Sequence, residues 1–213
     1  MNLVIPRLYA IIDPTLLTIS ELELAAMLAE SGVELVQYRN KTGSSRQFFE
    51  ISRQLANALK PRGARFIVND RADIALLAGA DGVHVGQDDL GVEDARAICG
   101  PDRWVGFSTH SLAQVAAADA TSADYIAFGP IFPTATKHNP DPVVGTELLR
   151  QARQLTKKPL VAIGGITLER AAEVYRAGAD SLAVIRDLIS VPNPAVRARE
   201  YLDVAAATAA REA

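Results

Sequence analysis

Leu160-Val161-Ala162-Ile163-Gly164-Gly165-Ile166-Thr167-Leu168-Glu169-Arg170-Ala171-Ala172-Glu173-Val174-Tyr175-Arg176-Ala177-Gly178-Ala179-Asp180-Ser181-Leu182-Ala183-Val184-Ile185 decides the fold of this 213-residue chain. Leu160 to Ile163 is a short apolar run and reads as a strand. Thr167 then caps a helix over Leu168 to Ala177, and Gly178 closes it. Leu182 to Ile185 is the next strand. Two strands joined by one helix form a parallel βαβ unit, because parallel neighbours need a crossover. Runs this short and this apolar suit strands covered on both faces.

The same unit fills the chain outward from that stretch. Strand-like runs fall at Leu8 to Ile12, Leu35 to Tyr38, Phe66 to Val68, Gly82 to Val85, Trp104 to Phe107 and Tyr125 to Phe128. Helical patterns fall at Ser20 to Glu30, Ser45 to Leu59, Ile74 to Ala78, Val92 to Cys99, Ser111 to Ala118 and Thr146 to Leu155, with a last one inside Pro194 to Ala207. Eight βα units in a chain of this size predict an α/β fold, a single (β/α)8 TIM barrel over residues 1–213. The alanine-rich end, residues 205–213, is expected to fray. An open doubly wound sheet is the alternative, but no Gly-x-Gly-x-x-Gly turn follows the first strand. Ala78-Gly79-Ala80-Asp81 and Ala177-Gly178-Ala179-Asp180 repeat one helix-to-strand turn, with Gly79 and Gly178 as left-handed caps.

Composition excludes several function classes. Hydrophobic residues are 49%, charged residues 22%, and the formal net charge is −3, which argues against a nucleic-acid footprint. The single cysteine, Cys99, gives neither an internal disulfide nor a zinc cluster and fits a reducing compartment; it reads as an apolar filler at a helix end. No run is long enough to cross a bilayer and no signal peptide is visible. The expectation is a cytoplasmic protein without a membrane partner; a homo-oligomer stays open.

In such a barrel the chemistry sits where strands run into their following helices. The second strand ends Gln37-Tyr38-Arg39-Asn40-Lys41. Alternation puts Gln37, Arg39 and, if the strand extends, Lys41 on one side. Two inward cations are costly unless an anion meets them; the alternative is that each reaches to the rim. The third strand ends Asn69-Asp70 and the fourth Gly86-Gln87-Asp88-Asp89. Acids on adjacent strand ends can share a magnesium ion, or can simply cap the helices that follow. The fifth strand ends Phe107-Ser108-Thr109-His110, with hydroxyls at the rim. His84, inside the fourth strand, reads as a core histidine with a satisfied ring.

The sixth strand runs into Gly129-Pro130-Ile131-Phe132-Pro133-Thr134-Ala135-Thr136-Lys137. Two hydroxyls and an ammonium suit phosphate oxygens, or else make a solvated turn. Gly164-Gly165-Ile166 and Ile185-Arg186 follow strands seven and eight, whose loops commonly bind phosphate through backbone N–H groups. Nowhere does a nucleophile–base pair stand out.

Taken together, Gln37 to Lys41, Asn69-Asp70, Gly82 to Asp89, Ser108-Thr109-His110, Gly129 to Lys137 and Ala162 to Ile166 resemble the thiamine-phosphate synthase family. The resemblance implies a (β/α)8 barrel joining a hydroxymethylpyrimidine diphosphate to a thiazole phosphate, with thiamine phosphate and pyrophosphate as products. It implies that Gln37, Tyr38, Arg39, Asn40, Lys41, Asn69, Ser108 and Lys137 hold the pyrimidine diphosphate. Of these, Arg39, Lys41, Ser108 and Lys137 would carry the chemistry. Thr134, Ala135, Thr136, Gly165, Ile185 and Arg186 would hold the thiazole phosphate, and Asp70 and Asp89 would bind Mg2+. Its partners would be two small phosphorylated substrates.

One position departs from the family, which usually has serine where Arg186 stands. Arg186 then grips the phosphate, crowds the site, or turns outward toward an acid such as Asp187. Two rivals exist. A thiazole tautomerase-like barrel tends to carry a histidine after the sixth-strand glycine, where this chain has Pro130. A non-catalytic phosphate-ligand sensor would show gaps in the cation and metal set, and none is visible.

Overall fold

Apolar runs rich in Val, Ile and Ala form strands here because both of their faces find cover. The computed structural model describes residues 3–134 and 141–210. Strands β1 (Leu8–Ile12), β2 (Leu35–Tyr38), β3 (Arg65–Asn69), β4 (Gly82–Val85), β5 (Trp104–Thr109), β6 (Tyr125–Phe128), β7 (Leu160–Ile163) and β8 (Ser181–Val184) pair in chain order. All pairs are parallel, and β8 closes on β1 through Leu8↔Leu182, Tyr9↔Ala183 and Ala10↔Val184. This is the expected barrel; the open sheet is ruled out by that closing pair.

The helices are α1 (Glu21–Glu30), α2 (Ser45–Leu59), α3 (Ala72–Ala78), α4 (Val92–Cys99), α5 (Leu112–Asp119), α6 (Gly145–Leu155), α7 (Leu168–Arg176), α8 (Arg186–Ile189) and α9 (Pro194–Ala209). Local chemistry sets several of their starts. Ser20 Oγ accepts from Glu23 N–H at 3.2 Å, and Ser111 Oγ from Gln114 N–H at 3.2 Å. Ser44 and Gln47 form a reciprocal capping box on α2. Thr167 stands at the start of α7, but its side chain makes no cap hydrogen bond, contrary to expectation. Gly79 (φ 73°) and Gly178 (φ 103°) take the left-handed conformation at the ends of α3 and α7, as expected. Some bounds differ. The short α8 was not anticipated, β3 gains Arg65 and Asn69, β5 runs two residues further, β8 covers Ser181–Val184 rather than Leu182 to Ile185, and α9 extends to Ala209.

Alternation along the strands makes two cores. Ala10, Ile12, Val36, Tyr38, Val68, Val83 and Val85 point outward into a shell shared with the helices. Tyr9, Ile11, Leu35, Ile67, Tyr125, Ala127, Val161 and Ala183 fill the barrel itself. Each buried Val, Leu or Ile contributes roughly 1.5–3 kcal/mol. That burial holds α3 and α4, which are too short to stand alone. Cys99 is buried in the shell as a filler, with its thiol toward Ala72 O.

The end remote from the strand C-termini is fastened by a repeated device. Asp81, Asp124 and Asp180 each precede an even strand. Each accepts a backbone N–H at the start of its odd neighbour, from the first or second residue: Phe66 at 2.8 Å, Val105 at 2.7 Å and Leu160 at 2.7 Å. Each also returns its own N–H to that residue's carbonyl at 2.8 Å. Arg65, Arg96 and Arg153 pair with the three carboxylates. This is the physical content of the Gly-Ala-Asp repeat. No helix among the described residues is long and apolar enough to cross a membrane.

Candidate active site

The strand C-termini surround a cavity of about 750 Å3. Alternation carries Leu35 and Gln37 inward and Val36 and Tyr38 outward, so the next inward positions at the mouth belong to Arg39 and Lys41. Both line the cavity, with Asn69, Asp70, Asp89 and Ser108. Gln37 is only 2% exposed. The inward cations expected from the sequence thus meet acids.

Arg39 Nη1 lies 2.5 Å from Asp13 Oδ2. Asp13 is buried, and its other oxygen accepts from Thr15 N–H at 3.1 Å and Thr15 Oγ1 at 2.6 Å. That capping bond fixes the carboxylate at the start of the 3-10 turn Pro14–Leu16, so the guanidinium that lines the cavity is held by a preset partner. Lys41 Nζ pairs with Asp70 Oδ2. Asp70 has φ 63°, the only non-glycine positive φ among the described residues. Its N–H donates to His84 O at 2.7 Å, which pins this less populated conformation. Burial raises the Asp70 carboxyl above its usual range, Lys41 opposes the shift, and the neighbouring Asp89 carboxylate adds to it. Asp89 Oδ2 accepts from Gly86 N–H at 2.7 Å.

Helix capping does not account for these acids. The N-cap residues of α3 and α4 are Arg71 and Gly91, and neither helix receives a side-chain cap. Two carboxylates turned to one cavity form a donor set suited to a hard cation. Among the described residues no third His, Cys, Asp or Glu completes a cage. Such a set matches a cation that keeps most of its shell as water or substrate phosphate.

The side of β6 to β8 is built differently. Ile131 N–H donates to Ile163 O at 2.9 Å and Phe132 N–H to Gly164 O at 3.0 Å, binding the two strand exits together. Gly165 sits at φ 62°, and a Cβ there would fall 2.5 Å from Pro133 O. Only glycine fits that turn. Gly165, Ile185, Arg186 and Thr134 line the cavity with Pro130. Arg186 opens α8 and is exposed. Asp187 does not take it up: its carboxylate binds Tyr201 Oη at 2.7 Å, Leu168 N–H at 3.1 Å and Arg197 at 3.4 Å. Arg170 Cζ stacks 4.4 Å from the Phe132 ring centre.

Other expected residues lie elsewhere. Tyr38 is buried outside the barrel against Phe48, at 5.3 Å between ring centres. Asn40 donates to Tyr38 Oη at 3.1 Å and accepts from Thr42 and Gly43 N–H. Neither side chain lines the cavity; they shape the turn that carries Lys41. Thr109 is buried and bonds Ala127 O at 2.8 Å, away from the rim. Ala135, Thr136 and Lys137 lie outside the described residues.

Sequence reasoning missed Asp13, Arg170 and the packing around His84. His84 Nδ1 lies 3.1 Å from Tyr125 Oη and Nε2 lies 2.8 Å from Ser108 Oγ, so its ring is satisfied, as expected. Burial lowers its pKa to about 4, with Asp89 opposing. The ring is therefore neutral at pH 7. Burial also raises Tyr9 and Tyr125 well above the ordinary phenol range, so both hydroxyls keep their protons. His110 donates through Nδ1 to Gly129 O at 2.6 Å and faces Asp141 at 3.5 Å, tying the exits of β5 and β6.

Comparison with known proteins identifies the family. The thiamine monophosphate synthase family profile matches residues 8–188. A thiamine-phosphate synthase of Koribacter versatilis is 51% identical over 210 residues, covering 95% of this chain and 97% of that protein. One of Chlorobium phaeovibrioides is 46% identical over 167 residues, covering 78% of this chain and 80% of its own length. The solved thiamine phosphate pyrophosphorylase of Pyrococcus furiosus superposes with a TM-score of 0.87 at 33% identity, covering 95% of this chain and 96% of that one.

Proposed function

The chain belongs to the thiamine monophosphate synthase family and is a transferase, and from that premise we propose that it joins 4-amino-2-methyl-5-hydroxymethylpyrimidine diphosphate to a hydroxyethylthiazole phosphate. The products are thiamine phosphate and pyrophosphate. The observation that carries this reading is that one cavity has a charged side at Arg39, Lys41, Asp70 and Asp89 and a glycine side at Gly165 and Ile185. Two phosphorylated substrates need two such sides.

In this reading the pyrimidine diphosphate lies along β2 to β5. Gln37, Asn69 and Ser108 orient it from the inward faces of their strands. Arg39, Lys41 and Lys137 meet the diphosphate oxygens. Tyr38 and Asn40 act from behind, by setting the turn that presents Lys41. Asp70 and Asp89 would hold Mg2+, which when bound would supply further positive charge beside the diphosphate. The bond between the exocyclic carbon and the diphosphate oxygen breaks first, and its electron pair leaves with pyrophosphate. Preset cations stabilise the charge that grows there, the largest contribution such a site makes. The lone pair of the thiazole nitrogen then forms the new bond to carbon. No protein nucleophile takes part in this reading; the Ser108 hydroxyl, 2.8 Å from His84 Nε2, serves to bind substrate. Thr134, Ala135, Thr136, Gly165, Ile185 and Arg186 hold the thiazole phosphate, so that the nitrogen faces the carbon at close range.

The test is the coupling reaction with both substrates and magnesium, followed by product and pyrophosphate. Equal yields of thiamine phosphate and pyrophosphate are expected. Absence of both, with each substrate bound, would overturn the reading.

A further inference from the structure

The residues assigned to the substrates leave out three buried polar groups of the barrel. Tyr9, Tyr125 and His84 form a line from Gln37 on β2 to Ser108 on β5. Gln37 Nε2 donates to Tyr9 Oη at 2.6 Å, and the two phenol oxygens are 2.9 Å apart. Tyr125 Oη lies 3.1 Å from His84 Nδ1, and His84 Nε2 lies 2.8 Å from Ser108 Oγ. The line has room made for it. A Cβ on Gly106 would fall 2.1 Å from Tyr125 Cζ, so only a glycine there admits the ring.

Proton counting gives the line a direction. Each hydroxyl has one proton to donate. Tyr9 Oη receives an amide proton from Gln37, so its own proton goes to Tyr125 Oη. Tyr125 then donates to His84 Nδ1. A neutral imidazole with a bare Nδ1 carries its hydrogen on Nε2, and that hydrogen goes to Ser108 Oγ. The Ser108 proton is left to point into the cavity that Ser108 lines. At the far end Gln37 also lines the cavity, and with Nε2 committed to Tyr9 its carbonyl oxygen is the group left to accept there.

We propose that this line is a polarised relay, in which Tyr9, Tyr125 and His84 are positioning residues that hold Ser108 as a hydrogen-bond donor and Gln37 as an acceptor toward the pyrimidine diphosphate. The identity of that ligand rests on the function proposed above; the polarity of the relay does not. A Ser108 hydroxyl fixed as donor suits an anionic oxygen and costs no reorganisation when the diphosphate leaves. Without the relay the same hydroxyl can turn back and donate to His84.

The tautomer of His84 tests the relay directly. Nitrogen-15 NMR of the full chain separates protonated from bare ring nitrogens, and His84→Gln identifies the signals among the three histidines. The expected result is hydrogen on Nε2 and a bare Nδ1; hydrogen on Nδ1 overturns the proposal. Tyr125→Phe should give a mixture of tautomers and slow the chemical step about tenfold, the scale of one hydrogen bond, at unchanged KM for the thiazole phosphate. Tyr125→Phe combined with Ser108→Ala should be no slower than Ser108→Ala alone; additive losses overturn the coupling. The tautomer of the unaltered chain needs no variant to fold. It also decides the relay if the chain lacks the coupling activity, in which case the functional reading alone fails.

Discussion

On the β2 to β4 side of the cavity, side chains carry the charge. On the β6 to β8 side, backbone packing shapes the turn. Arg39 and Lys41 each face an acid, and one of those acids, Asp70, is held in a sparsely populated conformation by its bond to His84 O. Gly165 instead occupies a space where no side chain fits. The charged side can respond when charge moves during a reaction. The glycine side fits its ligand mainly by shape. The proposed reaction therefore predicts that one face of the cavity governs rate and the other governs binding, and each of the following expectations puts that division at risk.

The largest effect is expected at Asp70. Asp70→Ala in excess magnesium should lower the chemical step by on the order of 10²–10³, as loss of charge stabilisation does. Thiazole phosphate binding should barely change. Single-turnover kinetics decide it, and near-parental rates would remove Asp70 from the metal site and break the division.

Acid should expose the buried ring beneath the charged side. His84 has a folded pKa of about 4 against an ordinary 6.5. Between those values the unfolded chain binds the extra proton and the folded chain does not, so stability rises with pH. His84 thus costs nothing above about pH 6.5, and its penalty grows as pH falls toward 4, reaching on the order of 3 kcal/mol. Below that the folded ring also titrates and the loss levels off. Denaturant unfolding of the parent and of His84→Gln from pH 7 to 4 measures it. The parent should lose stability more steeply; parallel curves would mean that the ring is not excluded from protons.

Gly165→Ala tests the other side. The added methyl must displace Pro133 O or Phe132 O. Thiazole phosphate affinity should fall by about 1–3 kcal/mol, the scale of an overpacked site, while pyrimidine diphosphate affinity stays constant. Titration with each substrate alone would reveal a breach of the division if both fell together.

The smallest effect is expected from Arg186→Ser. Arg186 is exposed and has no carboxylate partner among the described residues. Its contact with a phosphate should be worth about 1 kcal/mol or less at low salt and vanish at high salt. Equal affinities and equal salt slopes for both chains would make Arg186 a bystander and leave the glycine side purely backbone.

Most of the fold was legible because each strand is a short apolar run and each helix shows a cap or a repeating apolar face. α8 was not, since Arg186–Ile189 is too short to show a period. The charged side of the site was legible as Gln37-x-Arg39-x-Lys41 and the two acidic strand ends. Asp13 was not, because it precedes a proline turn and meets Arg39 only when β1 and β2 pair. The Tyr9–Tyr125 contact was equally hidden. It joins residues 116 apart, and their inward faces meet only in a closed barrel. Arg170 reads as an ordinary helix cation until Phe132 is placed beneath it.

The three aspartates at the far end of the barrel have a consequence for what can be changed. They fasten β3 to β4, β5 to β6 and β7 to β8 with paired backbone and side-chain bonds. All three fasteners lie away from the substrate end. Closure of the cylinder is therefore mechanically separate from the chemistry of its opening. The loops of the opening can be exchanged, lengthened or recharged while the base keeps the strands in register. A barrel fastened in this way is a chassis, and its reaction is a removable part.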